Sequence, residues 1–104
     1  MVALLTVARA DADGFRVLWR HAAREPEFQS VATRCRTHAV ACARAGLSTW
    51  TPADTIEWSA HAVVGYLLEA VLTWIDFGHP PDDARFVRAT RASLASGVRA
   101  WASE

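Results

Sequence analysis

The chain has 104 residues and a mass of 11.4 kDa, enough for one domain around one core and too little for two. Eleven arginines with no lysine balance eleven acids to a formal charge of zero, which excludes the strongly basic footprint of a nucleic-acid-binding domain. An apolar share of 52% with five tryptophans is more apolar surface than a lone small domain covers, so a partner surface is expected.

Gly and Pro divide the chain into segments of helical length and period. Val2–Arg9 is apolar and too short to be read by period; it is expected to be a helical stub. No basic stretch leads into an apolar run and a small-residue cleavage site, so no secretory signal and a cytoplasmic location are expected. Asp11 or Asp13 can cap a helix over 12–24, whose apolar face is Phe15, Leu18, Trp19 and Ala22 at i, i+3, i+4 and i+7. Arg16, Arg20 and Arg24 form the opposite stripe and are expected to be solvated.

Pro26 cannot donate to a preceding turn and restrains Glu25, so a second helix begins there and runs over 26–45. Gly46 is its expected left-handed stop, and Phe28, Val31, Cys35, His38 and Cys42 are its expected inward stripe. Thr51-Pro52-Ala53-Asp54 reads as a capping box that opens a helix over 52–77. That helix carries two apolar stripes, one of Ile56, Ala60, Val63, Leu67, Val71 and Trp74, the other of Val64, Leu68, Leu72 and Ile75. So wide an arc must be buried on two sides. As a membrane span its apolar stretch Ala60–Ile75 is too short and too marked by His61 and Glu69 within it and Asp76 at its end.

After the Gly78–Pro81 breaker, Asp82 and Asp83 favour the positive end of a last helix over 82–102. Its apolar stripe is Val87, Thr90, Leu94, Val98 and Trp101. Beside it, Phe86 gives way to the small row Ala89, Ser93, Gly97 and Ala100, which permits close approach of another helix from this chain or a second copy. The fold class is therefore all-α: a small bundle of four main helices plus an N-terminal stub, occupying residues 1–104 as one domain.

The chemistry-bearing residues are few. Cys35 and Cys42 on one helix lie about 10.5 Å apart along its axis, too far to bridge, so both are expected to be reduced thiols. Cys35, His38 and Cys42 share a helical face, yet three ligands on one helix rarely close a tetrahedron, and two small thiols beside a core or pocket imidazole is the favoured reading. Glu57 and His61 lack the second histidine of a zincin pattern. No nucleophile with its base, carboxylate pair or Gly-rich phosphate loop is evident, so no enzyme, metal or cofactor is expected.

Three stretches resemble a known family. Gly14–Phe28, the Ala62–Leu68 helix and the Trp74–Pro80 corner look like segments of TetR-type transcriptional regulators, a resemblance that covers nearly the whole chain. It implies a C-terminal regulatory domain, which binds a small effector and pairs two copies through two long helices in a four-helix bundle. The family's N-terminal helix-turn-helix has no counterpart here, so DNA would be reached only through that missing unit.

The resemblance places an effector, small and apolar or aromatic, among the first three main helices, lined by Phe15, Trp19, His38, Cys42, Trp58 and His61. The tryptophans offer flat walls and the two imidazoles offer orienting hydrogen bonds. A homodimer is expected through Val64, Leu68, Leu72, Ile75, Thr90, Leu94, Gly97, Val98 and Trp101. The alternative is a stand-alone helical interaction module with no ligand.

Overall fold

The structure, a computed structural model, describes residues 2–21 and 26–103. It contains α1 (Val2–Ala10), α2 (Ala12–Arg20), α3 (Pro26–Leu47), α4 (Ile56–Phe77) and α5 (Asp83–Ser103), with a 3₁₀ turn, Pro80–Asp82, ahead of α5. No strand occurs among the described residues, and the fold is an all-α bundle. The Asp11 carboxylate accepts from the Gly14 N–H at 3.0 Å, satisfying one of the free donors at the start of α2. The expected positions of Ala22, Arg24 and the Phe28 side chain lie outside the described residues.

Two local expectations are corrected. Gly46 does not stop α3 in a left-handed turn: no glycine has a positive φ, and the helix continues to the buried Leu47. The Thr51 capping box does not form either. The chain must reverse between α3 and α4, and the Thr51 N–H is taken by the Leu47 carbonyl at 2.9 Å, so Thr51 belongs to the end of α3. Residues 53–55 form a turn, Thr55 donates its hydroxyl to the Pro52 carbonyl at 3.2 Å, and α4 begins at Ile56.

α4 is the axis of the bundle, and every other helix packs on it. Its Ala60 and Val71 are fully buried, and Val64, Leu68, Leu72 and Ile75 nearly so. α1 contributes Leu5 and Ala8, α2 contributes Phe15, and α3 contributes Val40 and Leu47. α5 lies antiparallel to α4, against which Phe86, Val87 and Val98 pack. α4 has the length and hydropathy of a membrane-crossing helix, and its Ala60, Val64, Leu68, Val71, Leu72 and Ile75 are covered by the chain's own helices.

The inward stripe expected on α3 is on the wrong side. Val31, Cys35, His38 and Cys42 are exposed, and the face that meets α4 is Ala39, Val40, Ala43 and Leu47, roughly a third of a turn away. Alanines on that face let two helix backbones approach closely, and the larger valine and leucine fill what remains. Arg16 and Arg20 of the α2 stripe stand at the surface and are engaged there by carboxylates. Arg16 donates to Asp76 at 2.8 Å, to Asp13 at 3.0 Å and to the Ile75 carbonyl at 3.4 Å, and Arg20 donates to Asp76 at 2.8 Å. These bonds clamp α2 to the C-terminal end of α4, where cations also meet the negative end of the helix dipole.

The Ser59 hydroxyl is fully buried on α4 and has no protein partner. A buried unpartnered polar group costs about 1–3 kcal/mol, whereas alanine suits a helix interior. Ser59→Ala is therefore expected to raise stability by about 1 kcal/mol, measured as a higher urea midpoint with an unchanged slope.

Candidate functional site

The six residues expected to enclose an effector fall at three separate places. Phe15 is buried in the core with Trp19 tilted against it, ring centroids 6.3 Å apart, and the Arg36 guanidinium covers the Trp19 ring from α3 at 5.9 Å. His38 and Cys42 stand on the solvent side of α3, Nε2 to Sγ 3.7 Å. Trp58 is 60% exposed at the start of α4, where it meets the edge of Trp101 from α5 at 5.0 Å, and His61 is exposed one turn on. Among the described residues the three groups stand apart, because α3 turns its His–Cys face away from α4.

The expected dimer residues are also used differently. Val64, Leu68, Leu72, Ile75 and Thr90 are buried within the chain, and Leu94, Gly97, Val98 and Trp101 are half-buried alongside α4. α1, α2 and α3 cover the arc of α4 that was reserved for a second copy. What α4 leaves uncovered is a different stripe: Trp58, Tyr66, Glu69, Thr73 and Phe77, with the half-buried Ala62 between the first two. Tyr66 is 45% exposed and Phe77 82%. Spaced by three and four residues, these positions lie on one line along the helix. That spacing is present in the sequence, but it is interrupted by Glu69 and Thr73, whereas the two apolar stripes are continuous.

Between this stripe and α5 lie two shallow grooves of about 400 and 240 Å³, the first reaching from Phe77 and Phe86 to Thr90, the second bounded by Ala62, Tyr66, Ser93, Gly97 and Trp101. The hairpin that carries them is held at both ends. At one end Trp58 packs on Trp101. At the other, Trp74 stacks flat on Phe86 at 4.8 Å and donates its indole N–H to Asp83 at 2.6 Å. Arg9 of α1 grips the same carboxylate through two bonds, 2.8 and 3.1 Å long. Gly78 permits this corner, since a Cβ there would overlap the Trp74 ring.

No known protein family, characterised protein or solved structure matches the chain. What the site can do follows from its own surface.

The charges are divided unevenly. Arg9, Arg16, Arg20 and Arg44 are all in ion pairs, the last with Glu57 across the α3–α4 turn. These contacts hold three carboxyls below the ordinary range: Asp83 through hydrogen bonds from Arg9 and Trp74, Asp76 through those from Arg20 and Arg16, and Glu57 through that from Arg44. By contrast Arg85, Arg88, Arg91 and Arg99, all exposed, form one arc of α5 and make no ion pair among the described residues. This arc faces away from the aromatic stripe. Two further grooves open beside it, about 560 Å³ between α1 and α5 and about 460 Å³ between α3, α4 and α5. No cluster of three or more His, Cys, Asp or Glu side chains suited to a metal converges among the described residues.

Proposed function

We propose that the chain is a self-pairing helical module that serves as the dimerisation half of a TetR-like cytoplasmic regulator, reaching DNA only through a separate reading head. The observation that carries this is the exposed aromatic stripe of α4, Trp58, Tyr66 and Phe77, bordered by the small residues Ser93 and Gly97 of α5.

The bundle has the surface for it. Its accessible area is 6764 Å², whereas a compact chain of 11.4 kDa exposes about 5,800 Å². The excess is roughly the 800 Å² that each partner contributes to a standard interface. The shape agrees: the molecule is a slab of 38 × 35 × 17 Å with a radius of gyration of 14.4 Å, against about 13 Å for a compact chain of this length. A second slab laid on the α4–α5 face by a two-fold axis makes a four-helix bundle and closes the surface. An effector role for such a module requires a site other than the six dispersed residues.

Light scattering tests this. The wild-type chain is expected at twice 11.4 kDa and Tyr66→Glu at 11.4 kDa, with unchanged helical content because Tyr66 is outside the core. A monomeric wild type at high concentration, or a Tyr66→Glu chain that stays dimeric, rejects the proposal.

A further inference from the structure

Four grooves among the described residues differ in what they offer. The two between the α4 stripe and α5 belong to the pairing face. The largest, between α1 and α5, is lined by three charged residues, Arg9 and Asp83, which neutralise each other, and Arg88, which makes no ion pair among the described residues, so it has no continuous apolar floor beside a single charge. The groove between the C-terminal end of α3, α4 and α5 is different. Its floor is apolar, made by Leu47, Val63, Leu94 and Val98, and its one charged lining residue is Arg99.

Three features of this groove point the same way. Its volume of about 460 Å³ falls within the roughly 300–1,000 Å³ of small-molecule sites. Trp50, on the turn after α3, forms a wall of the groove while 67% exposed, so a large flat apolar ring is presented to solvent at its mouth. On the α5 side, Arg91, Ala95 and Arg99 stand in one column at i, i+4 and i+8. The two arginines are thus about 12 Å apart along the axis with a methyl between them. Neither makes an ion pair among the described residues, whereas Arg44, on α3, is already engaged by Glu57. An apolar trough with an unneutralised guanidinium at its rim is complementary to a molecule with an apolar body and one anionic end.

We propose that this groove binds an amphipathic carboxylate, a fatty or aryl acid about the size of decanoate, with its body on Leu47, Val63, Leu94 and Val98, its flank against Trp50 and its carboxylate on Arg99. Guanidinium meets carboxylate with two parallel hydrogen bonds, so Arg99 supplies orientation as well as charge. The site lies on the flank of α5 opposite the pairing face. A monomeric chain would leave it intact, and failure to bind a ligand would leave pairing intact.

The experiment is isothermal titration calorimetry of the whole chain with decanoate, 2-naphthoate, decanol and decyltrimethylammonium, with the melting temperature followed in parallel. At least one carboxylate is expected to bind saturably and raise the melting temperature with concentration; which of the two binds tells an alkyl from an aryl source. Arg99→Gln, at an exposed position that folding does not need, is expected to weaken binding about tenfold, the worth of a charge-assisted hydrogen bond. Ala95→Trp, which fills the groove from its rim, is expected to abolish binding. Arg85→Gln, on α5 away from the groove, is expected to leave it unchanged. The proposal is overturned if neither carboxylate binds or if decanol or the cation binds as tightly. It is equally overturned if Arg99→Gln keeps full affinity, or if Arg85→Gln loses as much as Arg99→Gln.

Discussion

Leu68→Glu is expected to unfold the chain and not to split a dimer. Leu68 is 6% exposed in the middle of α4, inside the cluster formed with Val64, Val71 and Leu72. Replacing it forfeits about 2–3 kcal/mol of apolar burial. Keeping the new carboxyl neutral near pH 7 costs about 4 kcal/mol more, the equivalent of a pKa raised by about 3 units. The sum approaches the roughly 5–15 kcal/mol that holds a domain of this size together. Tyr66→Glu adds the same charge two residues earlier, on the exposed stripe, and is expected to keep its helical circular dichroism. The contrast between two acids on one helix is the measurement. A Leu68→Glu chain that stays fully helical while its mass halves would return Leu68 to an interface between copies.

That contrast also marks what the sequence makes legible. Breakers and caps act through atoms within a few residues, so Asp11 capping α2, Pro26 opening α3 and the Gly78–Pro81 corner could be located from the chain alone. Periodicity shows that a helix has a buried face, but it does not name the neighbour that covers it. The arc of α4 containing Val64, Leu68, Leu72 and Ile75 was correctly apolar, yet α1, α2 and α3 cover it before any second copy can. On α3 the physical reason is different. Val31, Cys35, His38 and Cys42 form a stripe of helical period, whereas helix packing rewards close approach and selects Ala39, Val40 and Ala43. The effector site inherited that rotation, which carried His38 and Cys42 to the solvent side. The groove beside Arg99 is assembled from α3, α4, α5 and the turn at Trp50, and its residues share no spacing that a single segment could reveal.

Asp83→Asn is expected to lower the melting temperature by roughly 10 °C at neutral pH, and the difference is expected to shrink in acid. Asp83 is the first residue of α5, and its side chain is 26% exposed, as is that of Arg9. One carboxylate accepts two bonds from Arg9 and one from the Trp74 indole, so it joins α1, α4 and α5 at a single point. An asparagine keeps the shape and loses the charge. Arg9 is then left half-buried beside a neutral amide that can accept at one oxygen, a change worth about 2 kcal/mol for bonds to charged groups. At about 4–8 °C per kcal/mol for a domain of this size, the shift follows. The sign of the pH effect comes from the direction in which Arg9, and then Trp74, move this carboxyl: down from the ordinary aspartate value near 3.8. A group whose folded pKa is depressed stabilises fully above its unfolded value and loses that contribution as pH falls through the folded one. The wild-type melting temperature should therefore hold from neutral pH to about 5 on account of this group and fall below about 4, while Asp83→Asn, with nothing to protonate there, falls less. Hydrogen exchange adds a spatial check: amides of α1 should lose more protection in Asp83→Asn than those of α3, because the lost bonds tether α1. Parallel melting curves for the two proteins across the whole acid range would show that the Arg9–Asp83–Trp74 junction does not hold the helices.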